Sequence, residues 1–157
     1  ECSAVAGGVE VSNGVAFSLD RRWAYHSDSP NQVIYRYPLN PDTGAVIGTR
    51  TVFHQFPAGG GYPDGGAVDS EGCYWSALYA GGRVVRLSPE GELLAEYPIA
   101  APCPTMCAFG GPDLKTLYVT TAREHRTEEE LAQWPQSGNI FAMPVTVAGR
   151  PEPFFAG

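Results

Sequence analysis

At 157 residues the chain can bury one ordinary single-domain core. Its 19 Gly and 14 Pro point to an all-β protein rich in tight turns rather than to a helical one. A formal net charge of −7 with 10 scattered Lys and Arg argues against a nucleic-acid partner, and no apolar run approaches the ~20 residues of a membrane span. No secretory signal pattern opens the chain. It starts Glu1-Cys2 without a Met, so it reads as part of a longer protein or as a processed one.

The first set of elements covers residues 13–56, with strands expected over residues 15–19, 23–27, 32–39 and 50–56. Val33, Tyr35 and Tyr37 alternate with Ile34 and Arg36, the period of a half-buried strand. Asn40-Pro41-Asp42-Thr43-Gly44 is hairpin punctuation, because Pro presets φ and Gly accepts a positive one. A second set, residues 64–99, gives strands over 66–69, 73–78, 83–87 and 93–99. Ser70-Glu71-Gly72, Ala80-Gly81-Gly82 and Ser88-Pro89-Glu90-Gly91 separate them. The third set, residues 105–155, gives strands over 107–109, 116–121, 139–143 and 152–155. Between its second and third strands, Thr127 followed by Glu130 forms a capping box, acids fill the next turn, and Pro135 stops the run. A helix of about two turns is therefore inserted there. A surface decoration packed by Leu131 and Trp134 is its expected role, with a lid over a site as the alternative.

The three sets repeat one signal: a small apolar run, a polar turn, then a run rich in aromatics. Val15-Ala16-Phe17-Ser18-Leu19-Asp20 leads to Trp23-Ala24-Tyr25, and Gly66-Ala67-Val68-Asp69-Ser70-Glu71-Gly72 leads to Tyr74-Trp75. Cys107-Ala108-Phe109-Gly110-Gly111-Pro112-Asp113 leads to Leu117-Tyr118-Val119. Four strands recurring at about 40–50 residues are the pattern of β-propeller blades. Alignment puts Asn13, Asp64 and Thr105 at one position, two residues before each run, where they would face a common axis. Natural rings have about four to eight blades, so three are too few to close. The chain is expected to be about half of a ring, completed by more of the protein or by a second chain.

Asn13 and Asp64 offer an amide carbonyl and a carboxylate, a partial oxygen shell for Ca²⁺, Mg²⁺ or Mn²⁺. Zn²⁺ could sit there too, although it prefers His and Cys. The bland alternative makes both residues turn formers that help Gly14 and Gly65 bend the chain before a strand. Thr105 is expected to line the channel or touch a ligand. Tyr62 is assigned to packing, with the pocket wall as the alternative, Asp28 to capping a turn with Ser29-Pro30, with the pocket border as the alternative, and Asp20 and Asp69 to the polar turns. His26, His54 and His125 share no metal-ligand spacing, and Ser18 and Ser76 have no His–Asp context. Cys2, Cys73, Cys103 and Cys107 form neither a zinc set nor a disulfide framework, so free thiols in a cytoplasmic protein are the default.

Ser12-Asn13-Gly14-Val15-Ala16-Phe17-Ser18 resembles the Ser-Asn-Gly segment of the regucalcin (senescence marker protein), gluconolactonase and luciferin-regenerating enzyme family. Tyr62-Pro63-Asp64-Gly65-Gly66-Ala67-Val68-Asp69 resembles its Pro-Asp-Gly motif. Gly81-Gly82-Arg83-Val84-Val85-Arg86-Leu87, Leu117-Tyr118-Val119-Thr120-Thr121-Ala122 and Gly138-Asn139-Ile140-Phe141 continue the match in order. The resemblance implies a six-bladed β-propeller, with residues 1–157 as the C-terminal half of its single domain. It further implies one divalent metal ion (Ca²⁺, Zn²⁺, Mg²⁺ or Mn²⁺) at the top of the central channel. On this resemblance Asn13 and Asp64 are metal ligands and Asp64 is the candidate general base. The family's third ligand, a Glu, and its substrate-contacting Arg and Asn belong to the half this chain does not contain. The implied activity is a metal-dependent, gluconolactonase-like hydrolase that opens a small-molecule sugar lactone by attack of metal-activated water on its carbonyl. Two alternatives stand beside it: a non-enzymatic calcium-binding or regulatory propeller, and a unit without a complete site.

Overall fold

Among the described residues, 2–151 of this computed structural model, eleven strands and one short helix build three antiparallel sheets. The first sheet takes β1 (Ser12–Phe17), β2 (Trp23–Asp28), β3 (Val33–Pro38) and β4 (Thr51–Gln55) in consecutive order. The second takes β5 (Tyr62–Val68), β6 (Tyr74–Tyr79), β7 (Arg83–Leu87) and β8 (Leu93–Pro98) likewise. In the third, β10 (Thr116–Thr121) lies between β9 (Pro104–Gly110) and β11 (Ile140–Pro144). The fourth strand expected over residues 152–155 falls outside the described residues. Each sheet is the meander that the repeated strand–turn signal implies.

The sheets stack face to face, and β6 shows why its sequence does not alternate between apolar and polar residues. Tyr74 and Leu78 enter a core with Tyr25, Ile34, Phe53 and Phe56 of the first sheet. Trp75 and Ala77 point the other way, into a core with Cys107, Leu117 and Val119 of the third. A strand covered on both faces is apolar throughout. Tyr74 and Trp75 are both wholly buried, and the Trp75 ring stacks on Tyr97 at 4.7 Å between centroids.

Asp69 fixes the turn between β5 and β6. Its fully buried carboxylate accepts hydrogen bonds from the Glu71 and Cys73 amides, from Trp75 Nε1 at 2.8 Å and from Arg86 Nε at 2.8 Å. It is a structural hub, as its place in the polar turn implies. Asp20 does the same on the surface, accepting from Ser18 Oγ and the Arg22 amide. Asp28 ties the Glu10 amide and the Asn31 side chain into the β2–β3 turn.

The two outermost faces of the stack carry apolar side chains that no sheet among the described residues covers. On the first sheet Val15, Ala24, Tyr37, Leu39 and Val46 line an open groove of about 310 Å³. On the third, Ala108, Tyr118, Ile140 and Ala142 are exposed. Surfaces of this kind belong against a neighbouring sheet, which agrees with a ring interrupted on both sides. No helix among the described residues is long and apolar enough to cross a membrane. All four cysteines are free, Cys73, Cys103 and Cys107 buried and Cys2 exposed.

The inserted helix, α1 (Glu128–Gln133), has the expected capping box: Thr127 Oγ1 accepts from the Glu130 amide, and the Glu130 carboxylate accepts from the Thr127 amide. None of its residues is fully buried. Leu131 and Trp134 are half-buried rather than anchored in the core.

Candidate metal centre

Asn13, Asp64 and Thr105 do not precede their strands. β1 and β9 begin three residues, and β5 four residues, earlier than the apolar runs suggest, so the three residues lie inside strands. Each marks a break in register. Asn13 pairs with Ser27 and Ala16 with Tyr25; Pro63 pairs with Leu78 and Gly66 with Ser76; Met106 pairs with Thr120 and Pro104 with Thr121. Every innermost strand therefore carries one extra residue, a β-bulge: just after Asn13 in β1, at Asp64 and Gly65 in β5, and at Thr105 in β9. A bulge re-aims a side chain that regular pleating would send into a sheet face.

The bulges touch one another in series, and the glycines explain how. A Cβ on Gly14 would meet the Asp64 carbonyl oxygen at 2.7 Å, and a Cβ on Gly65 would meet the Thr105 carbonyl oxygen at 2.7 Å. Each candidate in the first two sheets is thus followed by a glycine that lets the next sheet's candidate approach. Met106 replaces that glycine in the third sheet. Tyr74 Oη, wholly buried, donates to the Gly14 carbonyl at 2.7 Å and ties the first bulge to the second sheet.

Asn13 and Asp64 line one cavity of about 300 Å³ with Ser29, Pro30, Tyr62 and Tyr79. Ser29 was not among the candidates, yet it organises the pair. Asn13 Nδ2 donates to Ser29 Oγ at 3.0 Å, and Ser29 Oγ donates to the Pro63 carbonyl at 2.7 Å. Because the serine proton goes to Pro63, Ser29 can only accept from Asn13. That fixes the amide orientation and leaves Asn13 Oδ1 as its open acceptor. A serine directly after β2 carries no signal for a contact with residue 63, so sequence reasoning could not find it. Tyr62 belongs to the cavity wall rather than to packing alone. Thr105 sits at the third bulge with its Oγ1 2.8 Å from Thr120 Oγ1, and it does not line this cavity.

Burial pushes the Asp64 carboxyl up to about 6, against a smaller opposing pull from the Gly65 backbone N–H. No Lys, Arg or His among the described residues forms an ion pair with it. A half-buried carboxylate without a cation, beside an amide oxygen without a donor, is the electrostatic complement of a bound cation. The donors are all oxygens, which suits Ca²⁺, Mg²⁺ or Mn²⁺ better than Zn²⁺. His26 bonds to Ser12 Oγ in the open groove of the first sheet, His54 to the Gly91 carbonyl, and His125 is exposed. The described residues contain no group of three or more His, Cys, Asp and Glu that could hold a metal ion, so Asn13 and Asp64 could supply no more than part of a shell. Replacing Ser29 by Ala frees the Asn13 amide to rotate, and we expect cation affinity to fall about tenfold, the usual cost of losing a residue that orients a ligand. Competition with a chromophoric chelator checks this, and unchanged affinity would refute the orienting role.

The model of the SMP-30/gluconolactonase/LRE-like region matches residues 1–123. A 6-deoxy-6-sulfogluconolactonase of Pseudomonas putida is 59% identical over 154 residues, covering 98% of this chain and 52% of that protein. A pentonolactonase of Haloferax volcanii is 38% identical over 149 residues, covering 92% of this chain and 51% of that protein. The crystal structure of regucalcin from Agrobacterium tumefaciens, described as a calcium-binding protein, superposes with a TM-score of 0.88 at 34% identity, covering 92% of this chain and 49% of that one. The chain spans about half the length of the curated relatives it matches.

Proposed function

The chain belongs to the SMP-30/gluconolactonase/LRE-like family, and on that premise we propose that it is the C-terminal half of a six-bladed propeller that hydrolyses sugar lactones with the help of one divalent metal ion. The observation that carries this reading is the cavity shared by Asn13 and Asp64, with its unneutralised carboxylate. The two uncovered sheet faces support a ring completed by an N-terminal half, which would supply the remaining metal ligand and the residues that choose the lactone. The Pseudomonas relative's name makes a sulfonated sugar lactone one member of the substrate panel.

A divalent cation bound there would polarise the lactone carbonyl and make a neighbouring water more acidic. Asn13 Oδ1, aimed by Ser29, and the Asp64 carboxylate would hold it. Asp64 also takes the proton of the attacking water. In the metal-free protein burial pushes this carboxyl up to about 6, still ionised at neutral pH, and a bound cation would pull it down again, so its basicity in the loaded site is set by both. Tyr62 and Tyr79 wall the cavity and would limit the approach of bulk water.

The experiment is hydrolysis of a sugar-lactone panel by the complete protein, followed by acid release, with metal removed by chelation and then restored. Metal-dependent turnover supports the reading. Cation binding through Asn13 and Asp64 without turnover of any lactone would instead favour a calcium-binding propeller, the role described for the Agrobacterium neighbour.

The raised Asp64 value sets a pH dependence. In the metal-free protein this group binds its proton more tightly folded than unfolded, so it favours folding below the unfolded value of 3.8. That contribution is lost as pH rises through about 6. The cation and the proton compete for the same oxygens. Affinity should therefore level off above pH 6 and fall about tenfold per pH unit below it. Calorimetric titration between pH 4.5 and 8 checks this (roughly the span over which the group changes charge). A flat profile would remove Asp64 from the shell.

A further inference from the structure

The Asp64 carboxylate and the chain's net charge of −7 make the cavity a poor place for an anion unless a cation stands at its edge. β10 ends at Thr121 opposite Pro104, beside the third bulge, and the Ala122 amide donates to the Cys103 carbonyl. The insertion that carries α1 therefore leaves the third sheet at the same end as Asn13 and Asp64. Arg126 comes just before the helix cap, and the capping box holds it. Glu130 accepts from the Thr127 amide through Oε2 and from Arg126 Nη1 through Oε1 at 3.2 Å. The guanidinium lies close enough to the hydroxyl of Tyr79, a wall of the cavity, to act on it electrostatically. Its Nε is buried without a partner among the described residues. A guanidinium has five N–H donors in a planar fork, so the bond to Glu130 leaves donors over, the buried Nε among them.

The other basic groups at this end are less well placed. Arg83 is held by Glu96 at 2.9 Å and by the Gly81 carbonyl, and Arg123 is exposed. We infer that Arg126 is a specificity-determining residue that recognises an anionic substituent, a sulfonate or phosphate, on the part of the sugar lactone farthest from the reacting carbonyl. The carbonyl would sit at Asn13 and Asp64, and the charged end would lie across Tyr79 against the guanidinium. The inference rests on the lactonase reading and gives the insertion a role that neither decoration nor lid describes.

Steady-state hydrolysis of gluconolactone and of its 6-sulfonated and 6-phosphorylated analogues by the complete, metal-loaded protein tests it, alongside Arg126→Gln and Arg126→Lys. For Arg126→Gln the loss of kcat/KM on a charged lactone should exceed the loss on the neutral one by 10- to 100-fold, mostly in KM. Arg126→Lys should recover part of the difference, because it keeps the charge but not the fork. Comparing the two charged substrates tells sulfonate from phosphate. Equal losses on neutral and charged lactones would mark Arg126 as merely structural, and no loss would remove it from the site. A wild-type protein that opens only the neutral lactone overturns this inference and leaves the lactonase reading standing. One that opens none overturns the lactonase reading first.

Discussion

Asp64→Asn in the complete protein is expected to lower kcat/KM for lactone hydrolysis by about 10³-fold or more, about 4 kcal/mol in transition-state stabilisation. The substitution preserves shape and keeps one oxygen in the cavity. It removes the negative charge that complements a cation and the basicity that accepts a proton, so two contributions vanish together. Asn13→Ala removes only a neutral oxygen and should cost far less. Cation affinity measured beside turnover separates the two losses. If loading Asp64→Asn with excess metal restores most of the rate, the carboxylate is only a ligand and the base lies elsewhere. Retention of more than about a tenth of the wild-type rate without any added metal, where loss of a general base costs 10²–10⁴-fold, would sink both roles.

The three-sheet architecture was legible because each sheet is closed by local chemistry. Gly72, at φ +83°, and the Asp69 carboxylate make the β5–β6 turn from neighbouring residues, and the Thr127–Glu130 box is confined to four residues. Asn13 and Asp64 were legible as equivalents because the repeat counts positions from the apolar runs. The bulges were not. An extra residue in a strand leaves no mark on apolar alternation, and here it follows from the approach of the neighbouring sheet to Gly14 and Gly65. The result is strands that begin three or four residues ahead of the expected ones. Ser29 and Arg126 were hidden for a related reason. Ser29 acts through Pro63, 34 residues away, and Arg126 stands near Tyr79 of another sheet. Contacts made only when blades stack carry no short-range signal, so the sequence yields the candidate ligands sooner than the residues proposed to aim them.

The same close approach makes Gly14 the position where fold and site fail together. Gly14 has φ +58° and Gly44 has φ +72°, so an alanine at either enters the left-handed region at about 1–2 kcal/mol. Around Gly44 there is nothing within 4 Å of the added carbon, and the backbone term is the whole cost. At Gly14 the same carbon meets Ser27 Oγ, Tyr74 Oη at 2.5 Å and the Asp64 carbonyl at 2.7 Å. None of these can yield cheaply. Tyr74 is wholly buried and hydrogen-bonded to the Gly14 carbonyl, and the Asp64 carbonyl is backbone. Gly14→Ala should therefore destabilise the complete protein by about 3 kcal/mol or more, beyond what Gly44→Ala costs. Urea midpoints of the two variants check the difference. Relief of the clash must push the first bulge away from the second, which parts Asn13 from Asp64. Cation affinity should then drop for Gly14→Ala and hold for Gly44→Ala at temperatures where both remain folded. Equal effects of the two alanines would mean that only φ matters at Gly14, and the contact between bulges could not be what assembles the pair.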